Sequence, residues 1–113
     1  MSDINFNNKK FFLLENSGNG TVNAETIFQY KQEGTLVTAE YYGGNIKHGK
    51  IIAVLKDNQL DMLYQCLTSE NQLKAGKAIA DISIMKNDKI KLTLHWQWLN
   101  SDQKKGISEY LES

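Results

Sequence analysis

The chain has 113 residues, with 13 acidic and 13 basic side chains and a formal net charge of zero. That length makes one ordinary domain around a single core, and the scattered, balanced charges set up no long-range field to recruit nucleic acid or an anionic membrane. All 13 basic residues are Lys, so tight recognition of phosphate or carboxylate has no bidentate guanidinium to lean on.

The first nine residues, polar and Asn-rich, predict a flexible tail, and residues 10–113 predict a single β-barrel domain. The stretch "MSDINFNNKKFFLL" lacks a secretory signal's apolar run, and nothing further on approaches the roughly 20 apolar residues that span a bilayer. The single Cys, Cys66, excludes an internal disulfide and fits a reducing compartment. These features predict a cytoplasmic protein.

After Lys10 the apolar residues come in short runs separated by turn chemistry: "NSGNG", "EGT", "YGGN", "KDNQ", "SENQ", "KNDK" and "NSDQ". Rich in Ile, Val, Tyr, Phe, Trp and Thr, the runs read as strands over 10–16, 25–33, 35–42, 45–55, 59–68, 72–85, 89–99 and 106–112. The segment "ENSGNGTVNAE" reads as a mobile first loop. Pro is absent from the chain, which suits a molecule made mostly of paired strands.

Cross-strand partners share a face, so hairpin arithmetic tests the register. A Glu33-Gly34 turn places Tyr30 opposite Val37, Phe28 opposite Ala39 and Thr26 opposite Tyr41. An Asp57-Asn58 turn places Leu55 opposite Leu60, Ala53 opposite Met62 and Ile51 opposite Tyr64. For "KNDK" a two-residue turn would set Asp81 against Leu94. A three-residue loop over Lys86-Asn87-Asp88, with Asn or Asp left-handed, instead pairs Ile82 with Leu92, Ala80 with Leu94 and Ala78 with Trp96.

The motif Lys-x-Gly-Lys-x-Ile-Ala occurs twice, at Lys47 and at Lys74. A Gly43-Gly44 turn points the even positions 46 and 48 inward, yet the hairpin that follows needs 51, 53 and 55 inward. In the second copy the inward set passes from odd Leu73 and Ala75 to even Ala78, Ala80 and Ile82. Gly49 and Gly76 sit at the switch, which predicts a β-bulge at each, with "KKG" at Lys104 to Gly106 a degenerate third. Bulges bend a meander towards closure. The predicted fold is therefore all-β: an antiparallel up-and-down meander of about eight strands closing into a small lipocalin/avidin-like barrel, with a curved sheet buried in a dimer as the structural alternative.

In "LTLHWQWLN" period-2 geometry sends Trp96 and Trp98 inward and His95 outward. The predicted cavity lining is Phe28, Tyr30, Tyr41, His48, Tyr64, Trp96 and Trp98. An eight-stranded barrel is just wide enough to be filled by such side chains or to hold one small ligand. Cys66 reads as a small buried hydrophobe, and Glu25, Glu40, Asp61 and Asp81 take the outward parity. No catalytic residue, metal ligand or cofactor is predicted: two His do not make a His-rich metal site, and "GNG" and "YGGN" lead into no helix that would complete a phosphate cradle.

The stretch "ETIFQYKQEGTLVTAEYYGGNIKHGKIIA" with "HWQWLNSD" resembles a family of small bacterial all-β proteins labelled "N-acetylglutamate synthase". The likeness runs from about Phe11 to the C-terminus and is carried by Tyr30-Lys31-Gln32-Glu33-Gly34, Gly43-Gly44-x-Ile46-x-x-Gly49 and Trp96-Gln97-Trp98. It implies the barrel argued above, and its label implies an acetyltransferase. The coenzyme-binding turn of such enzymes, Gln/Arg-x-x-Gly-x-Gly/Ala opening a helix, has its nearest match at Gln103 to Ser108 and departs from it at Ser108.

Three functions follow as expectations. The first is a non-enzymatic cytoplasmic protein binding a small apolar or aromatic ligand inside the barrel. The second is a self-associating structural or interaction module, such as a homodimer, using Ile27, Leu36, Ile52 and Leu63 on the outer face. The third is the acetyltransferase of the family label.

Overall fold

The computed structural model describes residues 4–16, 25–99 and 105–113. Eight strands follow one another: β1 (Lys9–Asn16), β2 (Ile27–Glu33), β3 (Leu36–Gly43), β4 (Ile46–Lys56), β5 (Gln59–Thr68), β6 (Leu73–Ile84), β7 (Ile90–Trp98) and β8 (Lys105–Glu112). Each pairs antiparallel with its sequence neighbours, and β1 pairs with β8, so the meander closes into a barrel. Closure removes the free sheet edges that an open meander would present. No described helix is long and apolar enough to cross a membrane.

Alternation drives this architecture. In β7 every second side chain, from Ile90 through Leu92, Leu94 and Trp96 to Trp98, is buried, while Lys91, Thr93, His95 and Gln97 lie outward. The same inward rows in β2 to β5 bring Phe28, Tyr30, Val37, Ala39, Tyr41, Ile51, Ala53, Leu60 and Met62 into one core. Small residues stand beside large ones on this inner face: Ala78 pairs with Trp96 and Ala80 with Leu94.

Two hairpins have the register that the sequence predicts. Leu55 pairs with Leu60, Ala53 with Met62 and Ile51 with Tyr64. After the loop in which Asp88 takes φ +64°, Ile82 pairs with Leu92 and Ala78 with Trp96. The β2–β3 turn falls one residue later than predicted, with Gly34 at φ +63° in its first position, the place where a two-residue hairpin favours glycine. Tyr30 therefore pairs with Ala39 and Phe28 with Tyr41. The shift is an even number of partner positions, so every side chain keeps its face.

Of the bulges predicted at the repeated glycines, one is present. The β4–β5 register slips between Ile46 and His48, turning both Lys47 and His48 outward before Gly49 resumes the inward row. At Gly76 the pairing with β5 and with β7 is unbroken. Leu73 and Ala75 do not belong to the inner row: Leu73 is exposed, and the buried positions of β6 are the even ones from Gly76 to Ala80. The β7–β8 ladder is likewise continuous from Lys105 to Leu111. A slip absent from the sequence reading lies in β1 between Leu13 and Glu15.

Residues 4–8 do not trail away from the barrel. Phe6 is fully buried, its ring 5.9 Å from Phe11 and 5.5 Å from Tyr30. Its N–H donates to Gln32 Oε1 at 2.8 Å, and the Asn8 N–H donates to the Tyr30 carbonyl at 3.0 Å. This segment fills the end of the barrel that carries the turns at 34–35, 57–58 and 85–89. Nearby, the Glu112 carboxylate accepts from the Ile90 N–H at 3.0 Å and pairs with Lys9 Nζ at 3.1 Å, joining β7, β8 and β1. Residues 17–24 of the predicted first loop, and Gln103 and Lys104, lie outside the described residues.

Candidate functional site

The opposite end of the barrel carries the turns at 44–45 and 69–72. Its inner wall combines Tyr41 on β3, Gly49 on β4, Tyr64 and Cys66 on β5, Gly76 on β6, Trp96 and Trp98 on β7, and Ser108 on β8.

The repeated glycines explain how the wall is made. Tyr41 is the cross-strand partner of Gly49, and Tyr64 is the partner of Gly76. A Cβ on Gly49 would overlap the Tyr41 ring, and one on Gly76 would stand 2.7 Å from the Tyr64 ring and hydroxyl. Each tyrosine therefore lies flat across the strand beside it, over a residue with no side chain. The shared function of the two Lys-x-Gly motifs is this clearance, with a bulge accompanying only the first.

The rings form a connected lining. Tyr41 stacks on Phe28 with centroids 4.7 Å apart and planes at 17°, and Phe28 meets Tyr110 edge-on at 4.9 Å. Tyr64 is edge-on to Trp98 at 5.9 Å, and Trp98 is 5.9 Å from Trp96. Polar ends are satisfied locally, as buried donors must be: the Trp96 indole N–H donates to Ser108 Oγ at 2.7 Å, and the Tyr41 hydroxyl donates to the Gln65 carbonyl at 3.3 Å.

Burial, the leading cause, pushes the hydroxyls of Tyr30, Tyr41, Tyr64 and Tyr110 well above the ordinary tyrosine range, so all four are neutral. Burial also raises the Cys66 thiol, against the opposing pull of a hydrogen bond with Tyr41 and of the Lys74 charge. Such a thiol packs rather than reacts.

Six of the seven predicted lining residues, Phe28, Tyr30, Tyr41, Tyr64, Trp96 and Trp98, lie inside the barrel. They do not form one site, because Tyr30 packs with Phe6 and Phe11 at the far end. His48 is the exception: the bulge at Lys47–His48 leaves it exposed on the outer face. The sequence reading does not single out Phe11, Tyr110 and Ser108, all buried; their signal was the even parity of β8 and an aromatic at the start of β1. Glu112, a nearly buried carboxylate, gives no such signal in the sequence, where an acidic residue beside polar neighbours reads as solvated.

The wall offers apolar rings and neutral hydroxyls, the composition of a binding surface. His95 contacts Asp81 at 3.2 Å on the outer face, away from these rings. Among the described residues no group of three or more His, Cys, Asp or Glu side chains could hold a metal ion. Lys105 to Ser108, within the nearest match to a coenzyme-binding turn, are extended in β8 rather than turning into a helix.

No curated protein and no solved structure matches the chain. The model of the avidin-like protein family matches residues 4–113, which takes in all eight strands. By closed antiparallel topology and by that match, the chain belongs to the avidin-like protein family.

Proposed function

We propose that the protein binds a small apolar or aromatic ligand at the end of the barrel bounded by the turns at 44–45 and 69–72. Avidin-like barrels typically bind small ligands such as biotin. The observation that carries the reading is the asymmetry of the interior. One end is filled by Phe6, Phe11 and Tyr30, whereas at the other Tyr41 and Tyr64 are laid flat over Gly49 and Gly76 beside Trp96 and Trp98. Keeping glycine beneath a ring sacrifices strand propensity, and a platform for a flat ligand is a return for that loss. Neutral, low-polarity walls favour uncharged rings and alkyl groups. Titrating the intrinsic Trp fluorescence with a metabolite panel that includes biotin tests it: a saturable change supports the reading, and none across the panel overturns it.

A second reading is self-association through the outer face. Ile52 and Leu63, cross-strand partners, are 65% and 60% exposed, and Leu36 and Val54 form an exposed pair beside them. A contiguous apolar patch of that kind marks a contact surface on a soluble protein. A mass that stays monomeric across concentrations contradicts it.

A further inference from the structure

The outer face of β6, β7 and β8 carries a groove of about 520 Å³, apart from the barrel interior. Two rows of side chains shape it, each set symmetrically about β7. In one row Gln97 stands between its two ladder partners, Lys77 on β6 and Lys105 on β8. In the next row His95 stands between Ile79 and Ile107 in the same way. Both lysines and both isoleucines are exposed, whereas Gln97 between them is half-buried. Neither lysine forms an ion pair among the described residues, where the pairs join Lys9 to Glu112, Lys50 to Glu40, Lys91 to Glu109 and His95 to Asp81.

We propose that this groove docks an extended segment of a partner protein, taking an acidic side chain on the lysine row and an apolar side chain, two positions away, on the isoleucine row. The site is separate from the interior and does not depend on the ligand-binding reading above.

Strand geometry sets that pattern. The two rows are two residues apart along each strand, about 7 Å, which is also the spacing of side chains on one face of an extended guest. The lysine stems start two strand spacings apart, about 10 Å, and are long enough to converge over Gln97 on one carboxylate. An ammonium only donates and an ionised carboxylate only accepts, so two lysines and the Gln97 amide can all be spent on the same guest group. An apolar side chain two positions away then lies between Ile79 and Ile107 and takes exposed apolar area out of water.

The surrounding charges fix which row takes the acid. Asp61 is the ladder partner of Ile79 and borders the groove, so it repels a carboxylate from the isoleucine row. Beyond that row Asp81 and Glu109 flank Thr93, each already engaged, with His95 and with Lys91. The same three carboxylates disfavour a long polyanion such as nucleic acid, which would also find no Arg and a net charge of zero. A short segment with one carboxylate meets the two lysines without meeting the acidic row.

An NMR titration of the intact protein tests this with seven-residue peptides of Thr carrying one Glu and one Val two positions apart, in both orders. At low salt at least one should give saturable shifts around Gln97 and His95, with an affinity about threefold or more above that of its Glu-to-Gln analogue. The difference should shrink as salt rises, and replacing the peptide's Val by Ser should weaken binding. Lys77→Gln combined with Lys105→Gln, both at exposed positions, should erase the preference for Glu and leave the thermal midpoint nearly unchanged. No saturable shift with any peptide, equal affinity for Glu and Gln peptides, or a preference that survives the double variant overturns the proposal. So does tighter binding of polyphosphate at the same signals, or movement of those signals when the protein alone is concentrated, which makes a second copy the occupant.

Discussion

The Tyr64 ring lies over Gly76, its partner across the β5–β6 ladder, so closely that a Cβ there would stand 2.7 Å from the ring. Gly49 and Tyr41 repeat the relationship one hairpin earlier. Both rings are pinned between neighbours, Tyr41 by Phe28 and Tyr64 by Trp98. Gly49→Ala and Gly76→Ala should therefore each destabilise the fold by about 1–3 kcal/mol through overpacking. Combining Gly76→Ala with Tyr64→Val should recover part of the loss, giving a coupling energy of about 0.5–3 kcal/mol in a denaturant-unfolding double-mutant cycle. Additive losses would mean that the ring and the glycine act independently.

Phe6 makes the N-terminal segment part of the core. Because it is fully buried against Phe11 and Tyr30, Phe6→Ala should cost about 3–5 kcal/mol, read as a lower urea midpoint. Asn5→Ala, which removes only an exposed bond from the Asn7 N–H at 2.8 Å, should lower the midpoint far less.

Stability should fall at both extremes of pH, for different reasons. Burial opposes ionisation of Glu112, but the Ile90 N–H and the Lys9 and Lys89 charges outweigh it and lower its carboxyl below the ordinary value of 4.5. A depressed folded-state value stabilises the fold above the unfolded-state value, and that contribution is lost as pH falls through the folded one. Glu112→Gln should flatten the acid limb. At the alkaline end the unfolded chain ionises its tyrosines near 10.0, while Tyr30, Tyr41, Tyr64 and Tyr110 remain neutral in the barrel. A raised folded-state value stabilises the fold below about pH 10 and the contribution is lost above it, by about 1.4 kcal/mol per pH unit for each tyrosine. Thermal unfolding across pH 3 to 11 checks both limbs.

On the outer face, Ile52→Lys should lower any self-association without lowering stability by more than about 0.5 kcal/mol, since Ile52 is 65% exposed. Sedimentation of the wild type and the variant over a concentration series reads the difference.

Strand order and register were legible because turn chemistry and period-2 alternation agree over most of the chain. Asp57-Asn58 and Lys86-Asn87-Asp88 set their hairpins to the residue, with Asp57 and Asp88 both left-handed. The errors arose where an apolar side chain lies on the outside. Leu73, 74% exposed, counted as an inner residue and created the appearance of a parity switch at Gly76. His48 was assigned inward by counting from Ile46, without the extra residue that the bulge inserts before Gly49. Phe6 was missed because one aromatic among asparagines has no periodicity to reveal it. The aromatic wall could be read from parity, but the closeness of Tyr41 to Gly49 and of Tyr64 to Gly76 depends on which residues of adjacent strands pair, and a turn placed one residue early, as at Gly43-Gly44 instead of Gly44-Asn45, moves every partner by two.

The most direct test of the proposed binding surface is an NMR titration that follows the indole N–H signals of Trp96 and Trp98 while ligands from the panel are added. The account predicts saturable shifts in Trp98 and Trp96, with smaller ones around Tyr41 and Tyr64 and none around Phe6 and Phe11. Silent indoles throughout, or shifts confined to the outer face around Ile52 and Leu63, would contradict it.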